Sequence, residues 1–217
     1  MQDYDAAREM MVDCQVRPSD VTRYAVIDAM LQVPRERFVP SSKRSVAYAG
    51  EAIEMATGRW LLDPRVSAKM VDAAEIEPED AVLDVGCGLG YSSAVLSRVC
   101  RAVISVESDE SMAKAAEETL SALGYDNAAV LNSALGEGAD SEKPFEVILI
   151  QGGVGDVPKA LFDQLAEGGR LVAIWMEGSF GQVRVSTKTG DAVSHRWIFD
   201  AAAPLLPGFS KEASFAF

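Results

Sequence analysis

Between Ala81 and Trp175 short apolar runs alternate with stretches of helical period, and no other feature of the chain restricts its fold so strongly. AVLDV (81–85), AVISVE (102–107), AAVLN (128–132), FEVILI (145–150) and RLVAIW (170–175) have strand length, and their nearly continuous apolar character suits strands buried on both faces. YSSAVLSRV (91–99), SMAKAAEETLSAL (111–123) and VPKALFDQLA (157–166) place apolar residues at helical spacing between them. Such alternation predicts parallel strands joined by crossover helices, an α/β sheet wound on both faces. After Trp175 the period changes. GQVRVSTKT (181–189) and AVSHRWIF (192–199) flank Gly190-Asp191 and predict an antiparallel hairpin that closes the sheet.

The first 58 residues read differently. Asp3 to Cys14 and Asp20 to Gln32 have amphipathic helical spacing with Pro18 between them, and VPRERFVP follows as an irregular segment bracketed by Pro34 and Pro40. About 50 residues bury little surface alone, so this region is expected to dock on the sheet as a helical extension. Asp63-Pro64, a capping carboxylate before proline at the first helical position, predicts a helix through RVSAKMVDAAEI.

The chemistry concentrates in VLDVGCGLGY (82–91). A strand ends at Gly86, Gly88 and Gly90 follow at alternate positions, and a helix begins near Tyr91; glycines there allow a tight turn and let backbone approach a ligand that a Cβ would push away. Glu107 closes the next strand, where an acidic side chain can accept the hydroxyls of a ribose. A nucleoside cofactor is therefore indicated. The third glycine comes one position early for the nicotinamide pattern, with Tyr91 where glycine is wanted, and no Walker lysine is present. Asp84, just before the glycines, would repel a pyrophosphate but suits a cationic amino acid group, as in S-adenosylmethionine.

With these words in place, the chain resembles a class I S-adenosylmethionine-dependent methyltransferase, and more narrowly the protein-L-isoaspartate O-methyltransferase family. The likeness runs from about Met11 to Ile174 through MVDCQVRP (11–18), VIDAMLQVPRERFVP (26–40), AYAGEAI (47–53), VLDVGCGLGYSSAVLS (82–97), VISVE (103–107) and LFDQLAEGGRLVAI (161–174). It implies a Rossmann-like seven-stranded methyltransferase sheet, an extension over residues 1–58 and a cofactor-binding domain over 59–217. It also implies cofactor contacts from Asp84, Gly86, Cys87, Gly88, Gly90 and Tyr91, from Glu107 and Ser108, from Asn132 and Ser133, and from Gln151. One stretch departs from the family pattern. Where relatives carry hydroxyl residues lining the acceptor site, this chain has Gly58-Arg59-Trp60-Leu61-Leu62-Asp63-Pro64, so Arg59, Trp60 and Leu62 are the acceptor-site positions. The small-residue run after the fourth strand is altered as well, to Gln151-Gly152-Gly153-Val154.

An isoaspartyl carboxylate is ionised at neutral pH, so its methylation requires alignment rather than a general base. A chain with a single histidine, His195 in the expected hairpin, suits that chemistry. The apolar Trp60-Leu61-Leu62 run suits a small-molecule acceptor, and replacement of the hydroxyls predicts weakened isoaspartyl turnover. A non-catalytic cofactor-binding homologue is the third alternative, and an oxidoreductase the last. A formal net charge of -13 has the wrong sign for binding nucleic acid, leaving Arg35, Arg37, Lys43 and Arg44 as a local cationic cluster. Three cysteines without metal-ligand spacing, no signal peptide and no long apolar run predict a cytoplasmic protein with neither metal nor membrane.

Overall fold

The computed structural model describes residues 3–211. Its main sheet contains β3 (Ala81–Val85), β4 (Ala102–Glu107), β5 (Ala128–Asn132), β6 (Phe145–Val154), β7 (Leu165–Glu177), β8 (Phe180–Thr189) and β9 (Ala192–Asp200), in the order β5-β4-β3-β6-β7-β8-β9. The first five are parallel, while β8 and β9 return antiparallel as the expected hairpin. Between β3 and β6 the strand order reverses direction, and in an open α/β sheet the crevice at that point receives the ligand.

Helices α1 (Tyr4–Met11), α2 (Tyr24–Gln32), α3 (Pro64–Ala73), α4 (Tyr91–Ser97), α5 (Glu110–Ala122) and α6 (Lys159–Asp163) surround the sheet. Asp63 caps α3 by accepting the Val66 N–H at 2.9 Å, with Pro64 in the first turn, as its sequence anticipates. Of the boundaries that depart from the sequence reading, two are decided by identifiable tertiary partners. The second helix starts at Tyr24 rather than Asp20: Asp20 has φ 61°, and the Asp72 carboxylate from α3 accepts the N–H groups of Thr22 and Arg23 at 3.1 and 3.0 Å. Helix α6 stops at Asp163, since Leu165 already pairs with Phe145 as the start of β7.

The N-terminal extension is not an appendage. Met11, Val12, Val16, Val26 and Phe38 share one continuous apolar core with Leu96, Val103 and Val147, so it covers one face of the sheet. The core on the other face includes Leu161, Leu171 and, from the C-terminal segment, Leu206 and Phe209. Arg35 is wholly buried and donates to Ala47 O at 2.8 Å and Leu62 O at 2.6 Å, with its guanidinium 4.6 Å from the Tyr91 ring centroid. It ties the chain on either side of a small two-stranded sheet, β1 (Ile53–Ala56) and β2 (Arg59–Leu61), to the body of the protein. The expected local cationic cluster is thereby divided: Arg35 is internal, and of its four members only Arg37, Lys43 and Arg44 are exposed. Nothing in the sequence analysis anticipated β1 and β2, and the 58/59 boundary drawn there falls in the turn between them.

Candidate cofactor site

The crevice is built from the C-terminal ends of β3 and β4. Gly86, Gly88 and Gly90 have φ of 79°, 60° and 93°, conformations that side-chain-bearing residues rarely adopt. The third glycine has a second use: a Cβ at Gly90 would lie 3.2 Å from the Ala116 Cβ, so glycine lets the start of α4 approach α5.

Two fully buried carboxylates flank the loop. Asp84 accepts Ser92 Oγ at 2.6 Å and Ser93 Oγ at 2.8 Å on one oxygen, and Gln151 Nε2 at 2.7 Å on the other. Burial outweighs those hydrogen bonds and lifts its pKa to about 6. Glu107 accepts the N–H groups of Ser108 and Asp109 through Oε1, at 2.8 and 3.1 Å. Its Oε2 takes the Gly88 N–H at 2.8 Å and the Arg59 guanidinium, which forms a buried ion pair with it. A carboxylate has about four acceptor sites, so Glu107 is saturated by the protein itself.

The other residues singled out from sequence are dispersed around the loop and beyond it. Asn132 donates to Glu107 O at 2.9 Å and the Ser133 N–H reaches the same oxygen at 3.2 Å, so with Ser108 they form the rim of the crevice. Cys87 is buried within the loop, and desolvation pushes its thiol pKa well up. Tyr91 belongs elsewhere: its ring packs beneath Arg35 and 6.0 Å from Phe38, against the N-terminal extension. Of the acceptor positions, Trp60 lines a cavity of about 250 Å³ with Lys43, Val46, Ala49 and Ile53. Leu62 instead lies in the apolar core, and Arg59 turns inward to Glu107. His195 is exposed on β9, 2.8 Å from Ser186 Oγ and edge-on to Trp175.

Two neighbours of the loop were missed from sequence. Leu206 comes back from the C-terminal segment, which pairs with β6 through Gly153 N–H to Pro204 O and Leu206 N–H to Gly153 O, both 2.9 Å. Cβ atoms at Gly152 and Gly86 would meet the Leu206 side chain at 2.6 and 3.2 Å, and one at Gly88 would collide with Met55 Cε. Gly152-Gly153 inside a strand was the legible signal, because such glycines mark close approach of another segment.

The donor set fits a cofactor with a ribose diol and a cationic amino acid end: a carboxylate beyond the glycine turn, and a second beneath it. In this conformation the Glu107 side of that crevice is filled by Arg59.

A doubly wound sheet closed by antiparallel strands, with a turn of three alternating glycines, a carboxylate before it and another at the end of the adjacent strand, has the form of a class I S-adenosylmethionine-dependent methyltransferase. The model of the protein-L-isoaspartate(D-aspartate) O-methyltransferase family matches residues 7–197, and the chain belongs to that family. It is 41% identical over 213 residues to a protein-L-isoaspartate O-methyltransferase of Roseiflexus sp. (strain RS-1), covering 97% of each chain. A second relative of the same name, from Roseiflexus castenholzii, is 36% identical over 95% of this chain and 94% of its own. Among solved structures, a protein-L-isoaspartate O-methyltransferase superposes with a TM-score of 0.81 at 23% identity, over 94% of this chain and 67% of that one. A Plasmodium falciparum protein described as a putative member, in complex with S-adenosyl-L-homocysteine, gives 0.77 at 18% identity over 95% and 99%. At those identities the superpositions speak for the fold.

Proposed function

We propose that the protein methylates the carboxylate of isoaspartyl residues in damaged proteins or peptides, as a cytoplasmic repair enzyme. The observation that carries this reading is the pair of buried carboxylates, Asp84 and Glu107, on either side of the glycine turn, in a chain of this family. S-adenosylmethionine, when bound, supplies a methyl group on a sulfonium. In this reading Glu107 would hold the ribose hydroxyls, and Asp84 would face the cationic amino acid end. Asn132, Ser133 and Ser108 border the crevice at the end of β4. Gln151, by donating to Asp84, fixes the orientation of its carboxylate.

The acceptor carboxylate arrives ionised and needs no base, so the contribution of the chain is alignment and exclusion of water. The cavity beside Trp60 is where the acceptor would enter; Lys43 lines it together with Glu51 and Glu54, so an incoming carboxylate would have to pair with Lys43 against two like charges. Its apolar residues Val46, Ala49, Ile53 and Trp60 also favour a second reading, a small acceptor with an apolar body.

Labelled-methyl transfer to an isoaspartyl peptide and to its aspartyl twin decides between them. Preferential labelling of the isoaspartyl peptide as a base-labile ester is expected. Absence of labelling by a preparation that binds the cofactor overturns the isoaspartyl reading and leaves the small acceptor or a non-catalytic cofactor-binding homologue.

A further inference from the structure

We propose that Arg59 is a built-in occupant of the ribose position, so that the resting protein is closed to its cofactor and opens only when the β1–β2 hairpin withdraws this side chain. The inference rests on the methyltransferase reading above and adds a gate to it. Glu107 is the one carboxylate at the end of β4, and the guanidinium holds its Oε2 from inside the crevice. With three backbone N–H groups taking the remaining acceptor sites, a ribose diol cannot bind Glu107 unless Arg59 leaves. The obstruction is also one of space: the same Nη2 stands 3.4 Å from where a Cβ of Gly86 would be, over the turn that the ligand must approach.

The latch is built to release. Arg59 is 5% exposed, yet its Nε and Nη1 are buried without a hydrogen-bond partner, so most of the guanidinium is desolvated without compensation. Withdrawal to solvent restores those hydrogen bonds, and the ribose hydroxyls of an incoming ligand take over the acceptor site on Glu107 that the guanidinium vacates. The hairpin that carries Arg59 is a separate two-stranded sheet with an irregularity between Glu54 and Ala56, outside the seven-stranded ladder. Two-stranded units of this kind are only marginally stable by themselves. Ile53 and Leu61 anchor the far end of the hairpin in the apolar core, whereas its Gly58 turn has φ 72° and nothing within 4 Å of a Cβ position, so the movement required is a lifting of the tip alone. Met55, on the other strand, covers Gly88 and would leave with it.

If the open state is a minority of roughly 1–10%, the apparent affinity is reduced by the same fraction, and removing the latch restores it. Calorimetric titration with S-adenosylhomocysteine should therefore show Arg59→Ala binding about 10- to 100-fold more tightly than the wild type. Arg59→Met, which keeps the apolar stem for packing, should tighten binding in the same direction. Hydrogen exchange supplies a readout independent of affinity: S-adenosylhomocysteine should reduce amide protection over residues 53–61 in the wild type while raising it over 84–91.

Wild-type binding that is unchanged or weakened in both variants overturns the gate and leaves the methyltransferase reading standing. Rising protection over 53–61 on binding does the same. No binding by the wild type or by either variant overturns both.

Discussion

The carboxylate of Asp84 costs the folded protein stability, and the cost can be switched off with pH. Asp84 is fully buried and accepts three hydrogen bonds, but desolvation still raises its pKa to about 6. In the unfolded chain an aspartate titrates near 3.9, so the native state binds this proton more tightly than the unfolded state does. Stability from this group is therefore full below about pH 4, falls as pH rises to about 6, and is flat beyond. A rise from about 3.9 to about 6 corresponds to roughly 3 kcal/mol at 1.36 kcal/mol per pH unit.

Asp84→Asn removes the titration and keeps the shape. The asparagine Oδ1 can accept Ser92 and Ser93, and its amide can donate to Gln151 once that side chain flips its amide. Thermal unfolding of wild type and variant from pH 4 to 8 should show nearly equal midpoints at pH 4. By pH 7 the variant should be higher by up to about 6–12 °C, at 2–4 °C per kcal/mol for a chain of this size. A difference that does not grow between pH 4 and 7, or an asparagine variant less stable at pH 7, would refute the reasoning. The same variant should bind S-adenosylmethionine more weakly, since the charge that destabilises the fold is the one facing the cationic ligand.

Gly90→Ala should lose about 2–3 kcal/mol, from left-handed backbone strain plus the 3.2 Å approach to Ala116, whereas Gly124→Ala, at φ 77° with open space around it, should lose less; urea midpoints check this, and equal losses would remove the packing role given to Gly90. Trp60→Thr should raise isoaspartyl turnover roughly five- to 150-fold, the rate value of one recovered hydrogen bond of about 1–3 kcal/mol, and unchanged turnover would mean that Trp60 does not face the acceptor.

The strands, the crossover helices and the glycine turn were legible because each depends on local period and local backbone freedom. AVLDV and AVISVE could be read as buried parallel strands from their residues alone, and once they pair, Asp84 and Glu107 fall beside the turn with no further information. The hairpin β8–β9 was equally local, announced by Gly190-Asp191 between alternating runs. What occupies the crevice was decided by contacts between distant parts of the chain. Arg59 meets Glu107 across 48 positions, and Leu206 reaches Gly86 only because the C-terminal segment folds back along β6. No period records such pairings: a surface arginine and a buried one look alike in sequence, as Arg35, held by backbone carbonyls, and Arg59, held by Glu107, both demonstrate. The sequence alone determined the sheet, the turn and its two carboxylates, through spacing and conformational preference. The tertiary structure alone decided that Glu107 is already paired, because a buried charge takes whichever counter-charge the completed packing brings within reach.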